Sequence, residues 1–266
     1  MTGLPRLGQN KGGYGGETID IERILSEVDQ TARQHGWESE LFLETDSLKL
    51  RALRRTPLTP ARRIYISTGI HGDEPAGPLS VLQLLKENRW PPNVAVWLCP
   101  CLNPTGFALN RRENANGIDL NRQYLDPQAE EVRAHIAWLN RQPNFDLALC
   151  LHEDWESHGF YVYELNPDNQ PSFAELIVRY VAEVCPIDYS PVIEGRDAHN
   201  GIIRPSADPR SRPQWPEAFY LFTHKTRLSY TLEAPSDFPV STRVTALVAG
   251  VRAVLDNIQG PKGVGS

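Results

Sequence analysis

Four side chains able to bind a metal or move a proton fall at the ends of apolar runs. His71 and Glu74 follow RRIYISTGI in the tetrad HGDE, His152 follows FDLALCL, and Glu233 ends RLSYTLE. Two imidazoles and a carboxylate, with a fourth position open for water, form one of the common catalytic zinc sets. His71, Glu74 and His152 supply that set. A metal lowers the pKa of its water and a nearby carboxylate takes the proton, which makes Glu233 the candidate base. Glu153, next to His152, is the alternative carboxylate. His71 and Glu74 stand close in sequence and need a turn between them, which Gly72 permits. Taken singly, each residue has a plain reading: an isolated HxxE is a weak signature, and a strand-end histidine or glutamate is commonly solvated. Their joint placement at strand ends points to a site.

A polar stretch adds a second kind of chemistry. It reads NPTG from Asn103, then Arg112, then NANGIDLNRQY from Asn114. Asn121 and Arg122 suit a substrate carboxylate, because a guanidinium offers a bidentate fork and the amide adds a donor. Arg112 could polarise a scissile carbonyl or stabilise the developing oxyanion. A polar surface loop with Asn-Gly turns is the plain alternative. His158, His199, His224, Trp155 and Trp215 are weaker candidates for lining such a site. Asp73 either orients a ligand histidine or caps the next helix.

The elements that must position these groups alternate in type. Residues 18–35 carry apolar positions at helical spacing and Gly36 follows as a stop. ESELFLET and LKLRALRR read as paired strands. RRIYISTGI, VAVWLCP, FDLALCL and RLSYTLE read as buried strands, and residues 76–88, 128–140, 172–184 and 241–258 as helices. Residues 188–217 form a long irregular segment, a length usually tied to function or to small elements within it. This order predicts one α/β domain with a mostly parallel or mixed sheet. Ligand sites of such sheets lie outside the carboxyl ends of the strands, where His71, His152 and Glu233 fall. The glycine-rich residues 1–16 are expected to be mobile, and residues 17–260 to form a single catalytic domain.

Composition narrows the class. The chain has 266 residues and a formal charge of −6, which gives no global attraction for nucleic acid or an anionic membrane. Its four cysteines read as structural thiols, since a chain this long buries a core without disulfides. No apolar stretch is long enough to span a membrane, and none at the N-terminus suits a signal peptide, so the expected compartment is the cytoplasm. A serine hydrolase is disfavoured because no Gly-x-Ser-x-Gly elbow is present.

The runs HGDE and NPTGFALNRRENANGIDLNRQY, the strand-end His152 and the strand-end TLE together resemble the zinc carboxypeptidase family in its broad sense. That family includes carboxypeptidase A, murein peptide amidases, succinylglutamate desuccinylase and aspartoacylase. The resemblance covers about residues 62–255, with the motifs in the family's order. It implies a mixed, mostly parallel sheet of roughly eight strands flanked by helices, and one Zn2+ per chain held by His71, Glu74 and His152. It further implies that Arg112 faces the carbonyl oxygen, Asn121 and Arg122 bind the substrate carboxylate, and Glu233 is the general base. The family's substrate-capping tyrosine has two candidates, Tyr163 and Tyr220. The implied substrate is a small peptide of the kind murein peptide amidases cut. An N-acyl amino acid is the alternative, and a non-catalytic binding module on the same fold is a third reading.

Overall fold

A computed structural model describes residues 5–46, 48–208 and 212–258. Residues 1–4 of the segment expected to be mobile, and 259–260 at the end of the expected domain, lie outside the described residues. The chain begins with α1 (Ile21–Gln34), where Asp20 caps the start by accepting the Arg23 N–H at 3.0 Å. Ile21, Ile24, Val28 and Ala32 repeat every three to four residues and are buried. Gly36, at φ 75°, lets the chain leave the helix.

Ten strands make one sheet among the described residues, rather than about eight. They are β1 (Glu38–Glu44), β2 (Lys49–Arg55), β3 (Arg62–Thr68), β4 (Val94–Cys99), β5 (Leu147–Asp154), β6 (Tyr161–Leu165), β7 (Val192–Ile193), β8 (Arg196–His199), β9 (Ile202–Ile203) and β10 (Ser229–Pro235). Their order is β1-β2-β4-β3-β5-β10-β6-β9-β8-β7. The sheet is mixed: β4, β3, β5 and β10 run parallel at the centre, while β1–β2 and β6 pair antiparallel at its flanks. The extra strands come from the segment at 188–217, which builds the small ribbon β7–β9. Its turns place Glu194 and Gly195 at φ 51° and 66°, and Asn200 and Gly201 at 52° and 75°. Two consecutive positive φ values match the twist of a tight hairpin.

Helices cover both faces. α2 (Ala76–Glu87), α5 (Ala174–Ala182) and α7 (Val240–Leu255) join α1 on one face; α4 (Glu130–Arg141) and α6 (Glu217–His224) lie on the other, and the short α3 (Pro104–Leu109) follows β4. Side chains alternate along each strand, so successive residues of β5 meet opposite layers. Leu147, Leu149 and Leu151 pack toward α2 and α7, whereas Ala148 and Cys150 pack toward α4 and α6. In β10 the same division sends Tyr230, Leu232 and Ala234 to the first layer. All four cysteines are buried and unpaired. No helix among the described residues is long and apolar enough to cross a membrane.

Two features tie the margins down. Residues of the glycine-rich N-terminal segment bond to the body: Arg6 Nε to Asp237 Oδ2 at 3.0 Å, Leu7 N to Asp237 O at 2.8 Å, and Asn10 Nδ2 to Trp155 O at 3.2 Å. Deeper, Arg243 of α7 donates to Glu153 of β5 at 2.5 Å, and both side chains are fully shielded from solvent. Burial pushes the Glu153 carboxyl up to about 7 although Arg243 pulls it down. Removing one partner of a buried pair strands the other charge. Arg243→Ala is therefore expected to lower the unfolding free energy by about 3–5 kcal/mol. Adding Glu153→Leu should recover part of that loss, measured by urea denaturation of the single and double variants.

Candidate active site

The strand alternation that packs the core also sorts the functional groups. His152 follows Ala148 and Cys150 on the α6 side of β5, and Glu233 lies on the same side of β10. The parallel register pairs Glu233 with His152 directly. His71 is reached three residues after β3, and Glu74 lies two residues before α2. The carboxyl ends of three adjacent strands, β3, β5 and β10, thus deliver these groups to one place.

The geometry of the ligand set is tight. His71 Nδ1 lies 2.5 Å from Glu74 Oε1 and His152 Nδ1 lies 3.0 Å from Glu74 Oε2. The three residues are buried, and their ligand atoms fall within 4.8 Å of one another. His71 Nε2 and Glu74 Oε2 are shielded from solvent without a hydrogen bond. Buried polar atoms without partners are uncommon, and they call for an ion or a water. Two imidazole nitrogens, a carboxylate and such orphaned atoms fit a zinc ion. The charges are coupled. Burial alone would raise the Glu74 pKa, but the two imidazoles hold it well below the carboxylate range. Burial would lower the pKa of both histidines, and Glu74 raises it in each.

Asp119 was not singled out in the sequence, and the structure gives it three contacts. Its carboxylate accepts from Arg112 Nε at 2.9 Å and stands 3.5 Å from His71 Nε2. It also caps the 3-10 turn Leu120–Arg122 by accepting the Asn121 N–H at 2.9 Å. One residue therefore stands beside a candidate ligand histidine and fixes Arg112 and the Asn121-Arg122 pair. Its signal in the sequence was its place two residues before Asn121 in the run GIDLNR. Asn121 Oδ1 accepts the Glu217 N–H at 2.8 Å, which leaves its amide N–H groups for the cavity.

Glu233 keeps part of its surface open to the cavity, while its carboxyl group lies deep among neighbouring atoms. Burial and the neighbouring Glu74 push its carboxyl well above the ordinary range, against the pull of His152. Glu153 is not an alternative base. It points through the opposite face of the sheet, accepts the Ala76 N–H at the start of α2 at 2.5 Å, and pairs with Arg243. Pro75 gives that helix no side-chain cap, so Glu153 serves instead.

A cavity of about 760 Å³ joins these groups. His71, Glu74, His152, Glu233, Arg112, Asn121 and Arg122 all line it. Of the weaker candidates, Trp155 and Tyr163 line it too. His158, His199, His224, Trp215 and Tyr220 do not; Tyr220 is buried and donates to Asn140.

Gly72 matters for a reason other than turn freedom. Its φ is not positive, but a Cβ there would overlap the backbone of Gly106 and Phe107. Gly72 N also bonds to Arg112 O at 3.4 Å. The HGDE tetrad and the NPTG run touch backbone to backbone, which only glycine allows. Gly72→Ala is expected to cost about 1–3 kcal/mol by overpacking and to weaken metal retention. Denaturant unfolding and metal content after dialysis would check both; unchanged stability and unchanged metal content would refute the packing argument.

Comparison with known proteins agrees with this architecture. A family described as a protein of unknown function, DUF2817, matches residues 28–137, a stretch holding His71, Glu74, Arg112, Asn121 and Arg122. Carboxypeptidase SOL1 of Arabidopsis thaliana is 33% identical over 104 residues, 31% of this chain and 21% of that protein, so the match spans about a fifth of that relative. A provisionally named metallopeptidase from Shewanella amazonensis superposes with a TM-score of 0.79 at 23% identity, covering 98% of this chain and 100% of that one. A metallo-carboxypeptidase from Burkholderia cenocepacia gives 0.67 at 19% identity, over 90% and 69%. At such identities the likeness speaks to architecture: the chain has the zinc carboxypeptidase-like fold.

Proposed function

We propose that this protein is a zinc-dependent hydrolase that cleaves an amide bond next to a free carboxylate in a small peptide. The observation that carries this reading is the convergence of seven residues from separate parts of the chain on one cavity. A zinc ion held by His71, Glu74 and His152 would supply Lewis acidity toward a water and a carbonyl oxygen. Asn121 and Arg122 hold the carboxylate of the substrate, which sets the register of the scissile bond. Arg112, braced by Asp119, donates to the carbonyl oxygen as it gains charge. Glu233 receives the proton of the attacking water and returns it to the leaving nitrogen.

Both a peptide and an N-acyl amino acid present an amide beside a carboxylate. The peptide reading is preferred because relatives of known fold and the curated relative are named carboxypeptidases. Cell-wall peptide fragments, as cut by murein peptide amidases, are the first substrates to assay, and a cytoplasmic location belongs to the same reading. A binding module without catalysis is disfavoured because Glu233 and Arg112 stand in the cavity beside an intact ligand set.

Three outcomes are expected. Elemental analysis should find one zinc per chain, and His152→Ala should lose it; a wild-type protein free of transition metal after zinc-supplemented expression would end the metal reading. Glu233→Gln should keep zinc while turnover falls about a hundredfold to ten-thousandfold; near-normal turnover would assign Glu233 to a solvated strand end. Arg122→Lys keeps the charge and loses the fork, so its Michaelis constant should rise, and a substrate esterified at the carboxylate should be a poor one. Equal turnover of ester and free acid would remove Asn121 and Arg122 from substrate binding.

A further inference from the structure

Apart from Glu74, Glu153, Glu233 and Arg112, the charged residues that line the cavity form two groups. The first is Asp154, Glu156 and Glu194. Burial raises the pKa of Asp154, the Glu156 N–H and the Tyr161 hydroxyl oppose it, and the Glu156 charge adds to the rise; burial, Asp154 and Glu156 raise that of Glu194. The second group is Arg122, Arg196 and Arg212, all lining the same cavity. Arg196 belongs partly to both, because it also acts on Glu194 across the hairpin of β7 and β8.

Arg212 stands apart from the other arginines drawn into the molecule. Arg112 has Asp119, Arg204 has Glu164 and Glu175, and Arg243 has Glu153 and Glu17. Besides burial, the groups that lower the Arg212 pKa are two other arginines, Arg196 and Arg122. Tyr163 alone opposes them, and no carboxylate among the described residues does. The Arg212 guanidinium is nonetheless fixed: it lies over the Phe219 ring of α6, 4.1 Å from the centroid. A planar fork stacked on an aromatic face is a preorganised anion receptor. Setting Arg212 among guanidinium groups, with no carboxylate of its own among the described residues, costs free energy through like-charge repulsion. That cost is relieved when an anion enters.

Resting on the proposed function, one carboxylate of the substrate is already taken by Asn121 and Arg122. We propose that Arg212, with Arg196 beside it, binds a second carboxylate, so that the residue released is a dicarboxylic amino acid. Arg212 is then the specificity-determining residue of the cavity. A neutral isostere of the same shape leaves its guanidinium unmatched, and a cationic side chain meets three like charges.

The test uses the zinc-loaded full chain and a pair of N-blocked dipeptides ending in glutamate or glutamine. An added charge-assisted bond predicts kcat/KM about tenfold to a hundredfold higher for glutamate. Arg212→Gln should bring the glutamate-to-glutamine ratio close to one, and Arg212→Lys should leave it between the two. Calorimetric binding of N-acetylglutamate and N-acetylglutamine is measured in parallel on all three proteins. If neither dipeptide is hydrolysed, the proposed function fails, and binding alone decides the inference: tighter binding of the dicarboxylate that Arg212→Gln abolishes would uphold it. Equal binding of the two ligands by the wild type overturns it. So does a glutamate preference that Arg212→Gln leaves unmoved; should that variant not fold, the same preference unmoved in Arg212→Lys overturns it.

Discussion

Glu153 stands next to a candidate metal ligand in sequence and on the opposite side of the sheet in space. Its carboxylate accepts the first free N–H of α2 and an ion pair from Arg243 of α7. The strand that carries His152 is thereby bonded to the helix that follows Glu74. Both bonds are buried, so neither is traded for water at low cost. Arg243 reaches further, to Glu17 and to the Tyr14 hydroxyl at 3.2 Å, and so draws in the N-terminal segment. A triad whose ligand atoms sit within 4.8 Å of one another depends on this bracing, because a shift between β5 and α2 would separate His152 from Glu74.

The other face of the sheet is braced by a second buried carboxyl group. Glu217, at the start of α6, accepts from Tyr65 at 2.8 Å and Ser67 at 2.9 Å, both on β3. Its own backbone N–H fixes the Asn121 amide. Burial pushes the Glu217 carboxyl up and these hydroxyls oppose it. Behind Tyr65, burial lowers the His135 pKa to about 3, so the ring is neutral. Tyr65 spends its proton on Glu217, so it accepts from His135 Nε2 at 2.9 Å, and Nδ1 accepts from Tyr124 at 2.7 Å. A chain of satisfied bonds runs from the core to a group facing the cavity. Such a network sets the aim of a side chain more firmly than apolar packing alone.

The two braces divide the work. One holds the candidate metal ligands; the other, with Asp119, aims the groups proposed to receive the substrate. Between them the ribbon β7–β9 supplies Glu194 and Arg196 to the wall of the cavity. That ribbon is short and turns on residues with positive φ, including a non-glycine at Glu194. Backbone of this kind persists where the surroundings fix it, commonly beside functional sites.

The sequence by itself determined the long elements and the groups at their ends. Four apolar runs and five amphipathic stretches became the central strands and helices because burial and periodicity are local properties. His71, Glu74, Arg112, Asn121, Arg122, His152 and Glu233, which line one cavity, were legible as candidates because each follows a strand or sits in a dense polar run. Short elements were not legible: β6 and the ribbon are too brief to show a period, although Asn200-Gly201 carried a hairpin signal. Only the tertiary structure decided what the neighbouring charges do. Glu153 and Glu233 are both carboxylates at strand ends, yet one faces α2 and α7 and the other the cavity, a choice set by odd or even position along a pleated strand. Gly72, Asp119 and Arg212 acquire their roles from partners distant in sequence or across a loop: a backbone at Gly106, a ring nitrogen of His71, the face of Phe219. Contacts of that kind depend on how strands are ordered and layers are packed, and no local pattern of residues encodes them.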